Sequence, residues 1–301
     1  MSDELTEALA RVPFLAGRTF SSRRLAGLTN VNYFVEVADE RFVVRIPGQG
    51  TSEYIDRAAE GVAARVAADV KVNAEVLLFD ESDGLMVTRF VDGSTTMSAE
   101  HFRDLGAVGR AGEAFRRLHS SKASFAVDFQ LFTMIDEYRS LLATKGTSLP
   151  HGYDDAVGRA DHARRILERV PAPLVPCHCD PLCENFLDTG TTMFIIDYEY
   201  GGNNDPMWDL GDLSVEGEFG PEQDAALLRA YFGGEPPPDQ AGRMVVYKAL
   251  CDLLWTLWGL IQHANDNPAD DFETYALNRF RRCQALMSSD AFTRALAAIE
   301  Q

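Results

Sequence analysis

The sequence predicts an α+β fold in two lobes, the first β-rich and the second mostly helical. Three observations carry this. Between residues 32 and 91 short β-rich runs alternate with turn residues around one alanine-rich helix. Beyond Ser98 apolar residues recur at helical spacing, and only between Pro171 and Glu199 does the pattern return to short strands. With 301 residues, 46% hydrophobic and 25% charged, the composition is that of an ordinary folded protein. The length suits one large domain or two smaller ones.

Leu5 to Phe14 reads as a short amphipathic helix. Asn32-Tyr-Phe-Val-Glu-Val37 and Arg41-Phe-Val-Val-Arg-Ile46 read as a strand pair across Ala38-Asp39-Glu40. Pro47-Gly-Gln-Gly50 breaks the pattern, and Ile55, Ala59, Val62 and Val66 then mark a helix over 55–68. Glu75–Phe79 and Leu85–Val91 form a second strand pair. Asp92-Gly-Ser-Thr95 is the expected junction, giving an N-terminal lobe of residues 1–91 and a C-terminal lobe of 92–301. Ser98 is the expected N-cap of a helix carrying Phe102, Leu105, Val108, Phe115 and Leu118. Further helices are expected over Phe132–Ala143, Tyr153–Val170, Glu222–Phe232, Gln240–Ala264 and Phe272–Met287.

Charge removes some functions. The chain has 28 basic and 46 acidic side chains, a formal charge of −18. Nucleic acid is not an expected partner, because gripping a phosphate backbone needs a basic stripe. An acidic surface instead favours solubility and can draw in cationic ligands, and charge alone points no further than a soluble protein. No membrane span is expected: Ala249–Ile261, the longest nearly apolar stretch, is interrupted by Asp252 and falls short of the ~20 residues a span needs. The acidic opening Met1-Ser-Asp-Glu-Leu-Thr-Glu lacks the positive charge of a signal peptide. Five cysteines are too few and too odd for a disulfide scaffold, so a reducing cytoplasm is the expected compartment.

The chemistry concentrates in His178-Cys-Asp180-Pro-Leu-Cys-Glu-Asn185 and, past Met193-Phe-Ile-Ile, Asp197-Tyr-Glu199. Asn185-Phe-Leu and Met193–Ile196 read as two short strands across the turn Asp188-Thr-Gly-Thr-Thr192. In a hairpin centred on Thr191, positions 185 and 197 fall opposite, setting an amide oxygen beside a carboxylate. Such oxygens suit a hard divalent cation holding phosphates. Asp180, five residues ahead, is then placed to accept a hydroxyl proton. The same stretch holds Cys177, His178, Cys179 and Cys183, but C-x-C-x₃-C with no second pair does not match zinc spacing.

His-x-Asp-x-x-x-x-Asn followed by an apolar strand and Asp-x-Glu resembles the catalytic core of the aminoglycoside phosphotransferase and choline kinase superfamily, relatives of protein kinases. The resemblance spans about Gly27 to Arg281 and implies a bilobal protein-kinase-like fold. It implies Asp180 as catalytic base, Asn185 and Asp197 as Mg²⁺ ligands, and His178 as a brace of the loop backbone. The N-terminal lobe has Gly27-Leu-Thr-Asn-Val-Asn-Tyr33 in place of a glycine-rich phosphate loop, and Thr29, Asn30 and Asn32 would hold the ATP phosphates. Arg45 stands where protein kinases carry a lysine. That arginine departs from the protein-kinase and aminoglycoside patterns and resembles choline and ethanolamine kinases around Arg-Ile-x-Gly. Glu60 is its expected partner, with Glu53 the other candidate. Thr88-Arg89-Phe90-Val91 resembles the hinge whose backbone meets adenine, with Met86 either lining that pocket or in strand core.

Trp255 and Trp258 lie at i and i+3 on one helical face. Two indoles can box an ammonium group, or simply pack into the core. The segment resembles the Trp-x-x-Trp helix of choline kinases, which implies a cation pocket with Tyr275 as a further wall. Trp208-Asp209-Leu-Gly-Asp-Leu-Ser-Val-Glu216 resembles the family's Asp-Ile-Ala-Asn…Glu segment. It implies Asp209 as a brace of the catalytic loop and Glu216 either as a charge for the cation or as an exposed side chain. The expected function is ATP- and Mg²⁺-dependent phosphorylation of a small cationic alcohol such as choline or ethanolamine. An aminoglycoside, thiamine or sugar kinase, or a binding protein without phosphotransfer, are the alternatives.

Overall fold

The computed structural model describes all residues except Met1, Ser2, Ala26, Leu28, Thr29 and 49–54. The β-rich part begins with helix α1 (Asp3–Ala10) and strands β1 (Ser21–Arg24), β2 (Val31–Val37) and β3 (Glu40–Ile46). Helix α2 (Arg57–Asp69) and strands β4 (Val76–Asp80) and β5 (Leu85–Arg89) complete it. The strands make one antiparallel sheet in the order β1-β2-β3-β5-β4. β2 and β3 pair because Val35, Val37, Phe42 and Val44 alternate onto one buried face. That register sets Asn32 opposite Arg45. α1 stops at Ala10, short of the expected Phe14, because Pro13 disfavours helix at the residue before it and has no amide to donate. β1 is the exposed Ser-Ser-Arg-Arg, a pattern with no apolar alternation to mark a strand.

Two apolar clusters organise the chain. The smaller packs α1 (Leu5, Leu9) onto the sheet face of Val35, Val37, Phe42 and Val44. The larger joins Ala63, Ala64 and Ala67 of α2 to the helical half, so α2 serves both halves. Asp56 caps α2 by accepting from the amides of Ala58 and Ala59, both at 3.0 Å.

The helical half holds α3 (Leu105–His119), α4 (Leu131–Thr144), α5 (Tyr153–Arg169), α6 (Met207–Glu216), α7 (Pro221–Phe232), α8 (Pro238–Ala264), α9 (Phe272–Met287) and α10 (Asp290–Ile299). Ser98 does not cap α3. Asp104 does, accepting from Gly106 at 2.9 Å and Ala107 at 3.2 Å, while Ser98 opens a separate 3₁₀ turn at His101–Arg103. Between the helices, β6 (Thr95–Thr96), β8 (Phe186–Asp188) and β9 (Met193–Ile195) form one small sheet, and β7 (Val175–Cys177) with β10 (Gly202–Asn204) another. α8 is the central pillar, against α4, α6, α9 and α10. By length and hydropathy it matches a membrane span, but 83% of its apolar window is buried inside the protein.

Candidate active site

β7 runs into the loop 178–185, and one buried carboxylate fixes that loop. Asp209, in the first turn of α6 and fully buried, accepts from the amides of His178 at 2.7 Å and Cys179 at 2.8 Å. His119 Nε2 adds a contact at 3.0 Å, and its Nδ1 meets Tyr231 Oη at 3.1 Å. Pinned in this way, Cys179 adopts φ +68°, a left-handed conformation that costs a non-glycine residue about 1–3 kcal/mol unless its surroundings impose it. His178 Nε2 sits 2.8 Å from the Ile196 carbonyl, its Nδ1 receives the Asp180 amide at 3.3 Å, and its ring packs on Tyr198. The thiols of Cys177 and Cys179 point at backbone carbonyls of 177, 202, 204 and 205.

The hairpin after the loop has a register one residue away from the expected one. Phe186 pairs with Ile195 and Asp188 with Met193. The Ile196 amide, not residue 197, meets the Asn185 carbonyl, at 2.9 Å. Asp197 leaves the strand at φ +69°, so it turns toward the site rather than standing opposite Asn185. The Asn185 amide group donates to the Asp180 carbonyl at 3.2 Å, which leaves its own oxygen available as a ligand.

A buried ion-pair chain crosses from the sheet to Asp197. Arg45, on β3, bonds Glu60 of α2 and reaches Asp197 Oδ1 at 3.0 Å and the Gly84 carbonyl at 3.3 Å. Arg57 bonds Glu60 at 2.6 Å and Glu199 at 3.2 Å, and Asn30 donates to Glu199 at 2.9 Å. Burial raises the Asp197 carboxyl to about 7, Glu199 adds to the rise, and Arg45 opposes it. Oxygens of Glu60, Asp197 and Glu199 lie within 4.8 Å of one another. Two arginines against three close carboxylates leave net negative charge, a donor set that fits a divalent cation.

The turn expected to hold phosphates meets this chain through Asn30. Thr29 and Glu53 lie outside the described residues. Asn30 is buried, and Asn32 sits across from Arg45. Gly27 keeps the turn tight: a Cβ there would stand 2.5 Å from the Asn30 carbonyl oxygen and 2.7 Å from the Asn32 side chain. At the hinge, the Arg89 and Phe90 amides are taken by the Glu75 and Arg41 carbonyls at 2.9 and 3.0 Å. The expectation that this backbone meets adenine therefore narrows to Val91 and the carbonyls. The Arg89 side chain faces outward, between Glu40 and Glu75. Met86 is buried in the core.

The acceptor end differs most from expectation. Glu216 is neither exposed nor unpaired: it bonds Arg279 of α9. Arg279 also reaches Asp252 at 3.2 Å and lies 4.6 Å above the Tyr275 ring, so one face of that expected wall already carries a cation. Trp255 is 4% exposed, its ring edge-on to Tyr200 and Trp258. Of the two readings of the pair, packing into the core fits Trp255, while Trp258 is half-buried and bordered by Phe272 and Tyr275. Asp180 is half-buried. Burial lifts its carboxyl to about 8, with Glu216 and Asp197 adding to the rise.

Residues 22–241 match the family model described as phosphotransferase enzyme family. A solved choline/ethanolamine kinase family protein from Mesorhizobium loti is 55% identical, with TM-score 0.91 over 99% of this chain and 98% of that one. The chain belongs to the choline/ethanolamine kinases of the phosphotransferase enzyme family. Protein LicA of Haemophilus influenzae is 27% identical over 277 residues, 88% of this chain and 79% of that protein. A LicA structure in complex with AMP is 24% identical, with TM-score 0.76 over 96% of this chain and 99% of that one, and shares the fold.

As a member of this kinase family, the chain is a phosphotransferase with an alcohol acceptor. Several residues of its site were not singled out in the sequence. Arg57, Asp212, Asp252 and Arg279 are buried charges, and only Asp252 announced itself, by interrupting an apolar run. Glu199 was visible in Asp-x-Glu, but its partners Asn30 and Arg57 stand 169 and 142 residues away.

Proposed function

We propose that this protein is an ATP- and Mg²⁺-dependent kinase of small amino alcohols such as choline or ethanolamine. One observation carries the reading: Asp180 lies on a loop pinned by Asp209, near enough to both Asp197 and Glu216 for their charges to act on its carboxyl. Asp197 belongs to the carboxylate group that fits a cation and Glu216 to the expected acceptor end, which supports Asp180 as the group linking them. Arg45 and the turn at Asn30–Asn32 would hold the nucleotide phosphates. Asn185 and Asp197 would hold Mg²⁺, which when bound supplies neutralising charge for the phosphates. Asp180 would orient the acceptor hydroxyl and take its proton as the oxygen bonds the γ-phosphorus and the bond to ADP breaks. Positioning and electrostatics supply most of the acceleration in such transfers. The five cysteines are buried and none pairs with another, in keeping with the proposed cytoplasmic setting.

The test is an acceptor panel read by ADP release: choline, ethanolamine, an aminoglycoside, thiamine and a simple sugar, each with MgATP. Release with the amino alcohols alone is the expected result. Release only with another class would reassign the acceptor, and nucleotide binding without release for any acceptor would refute phosphotransfer.

A further inference from the structure

The acceptor end contains a carboxyl group that neither the pinned loop nor the nucleotide side uses. Asp212 lies on α6 one turn before Glu216 and is 1% exposed. Its Oδ1 accepts from Cys251 Sγ at 2.9 Å, while its Oδ2 is buried without a hydrogen-bond partner among the described residues. An oxygen of Asp212, an oxygen of Glu216 and the Cys251 sulfur lie within 4.8 Å of one another. Asp180 and Glu216 are near enough for their charges to act on Asp212. Arg279 spends its hydrogen bonds on Glu216 and Asp252 instead. A buried acceptor oxygen without a donor is costly, and this one belongs to a carboxyl that shares a 4.8 Å cluster with Glu216 and feels the charge of Asp180.

The surrounding aromatic groups leave a different preference. A trimethylammonium group donates no N–H and is held by open ring faces. Here Trp255 is buried, Arg279 covers a face of Tyr275, and Trp258 alone of the three is both half-buried and without a cation over it. A primary ammonium brings three N–H donors.

We propose that Asp212 is a specificity-determining residue: its unpartnered oxygen receives an N–H of a primary ammonium, directly or through one ordered water, so that 2-aminoethanol-type acceptors are favoured over trimethylammonium ones. This rests on the amino-alcohol kinase reading. A site built to bond an N–H discriminates strongly against an analogue that lacks it, because the site's own polar group is then left unpaired.

The experiment compares ethanolamine, N-methylethanolamine, N,N-dimethylethanolamine and choline as acceptors for the wild type and Asp212→Asn. Asparagine keeps the shape and the acceptor for Cys251 while replacing the unpartnered oxygen by an NH₂ group. The wild type is expected to lose kcat/KM with successive methylation, at least tenfold between ethanolamine and choline. Asp212→Asn is expected to lower kcat/KM for ethanolamine by about ten- to a hundredfold, the scale of a hydrogen bond to a charged group. Its choline kcat/KM and ATP KM should stay within about threefold, so the ratio of acceptors collapses, which a merely structural role would not produce. A wild-type preference for choline, or a variant that scales all four acceptors equally, overturns the proposal. Were Asp212→Asn to unfold, Asp212→Ser carries the same test: a collapsed ethanolamine-to-choline ratio supports the proposal and an unchanged ratio overturns it. No turnover with any of the four refutes the amino-alcohol reading itself and this proposal with it.

Discussion

Replacing Asp209 by asparagine tests how the catalytic loop is held. All three groups that meet this carboxylate are donors: the His178 amide and His119 Nε2 at Oδ2, and the Cys179 amide at Oδ1. An asparagine must turn its NH₂ toward one side. The less costly orientation keeps its oxygen on His178 and His119 and sets the NH₂ against the Cys179 amide, donor facing donor. The lost bond is charge-assisted and buried, so stability should fall by about 1.5–3 kcal/mol. At ~2–4 °C per kcal/mol for chains of this order, the melting temperature should drop by roughly 3–12 °C. The larger effect falls on turnover. Cys179 at φ +68° loses the bond that imposes its conformation, and Asp180 follows it in the chain. A shift of about 1 Å in a reacting group can cost a hundredfold, so kcat should fall ten- to a hundredfold with ATP KM within about twofold. Thermal melts and steady-state kinetics well below both melting points read the two effects separately. An Asp209→Asn enzyme with kcat within twofold of wild type would refute the argument that this bond positions the base.

Three further changes have distinct signatures. Arg45→Met leaves Glu60 and Asp197 without their bridging cation, which should cost about 3–5 kcal/mol in chemical denaturation and raise ATP KM. Trp255→Ala should cost about 3–5 kcal/mol as a core truncation, whereas Trp255→Phe should be nearly neutral because it removes a buried, unpartnered indole N–H. Trp258→Phe should instead raise acceptor KM about two- to fivefold, a part of the ~0.5–2 kcal/mol of a whole cation–π contact because Phe keeps a ring face, with a nearly unchanged melt. For pH, burial together with Glu216 and Asp197 raises Asp180 from 3.8 to about 8. The folded chain therefore keeps a proton that the unfolded chain releases, and this stabilising difference, complete below 3.8, is lost as pH rises through about 8. Asp180→Asn, which cannot ionise, should gain melting temperature over wild type between pH 5 and 9, read without nucleotide or metal. A constant difference across that range would contradict it.

What the sequence made legible follows the range of each interaction. Strands β2 and β3 were readable because a period of two needs only neighbouring residues, and α2 because its apolar positions recur every third or fourth. Asp180, Asn185 and Asp197 were readable as a set because they share one loop and hairpin. The register slipped by one because Asp188–Thr192 closes with the Thr189 amide on the Thr192 carbonyl at 3.0 Å and Gly190 at φ +82°, detail that the turn residues alone do not specify. α6 is buried on nearly every side, so it has no polar face to give a helical period. The acceptor end was less legible for a different reason. Glu216 and Arg279 are 63 residues apart, and nothing local to either residue records that they pair or that the pair closes over Tyr275.

The most direct test of the account is Asp180→Asn assayed with MgATP and the best amino alcohol from the panel, with nucleotide affinity measured by calorimetry on the same preparation. Phosphorylated product should fall at least a thousandfold while ATP affinity stays within about threefold, since in the proposed mechanism Asp180 would meet the acceptor's proton and Arg45 the nucleotide; general-base assistance and orientation together account for a loss of that order. Turnover within tenfold of wild type would show that the hydroxyl is aimed and deprotonated by some other group, and the assignment of this loop as the catalytic centre would be wrong.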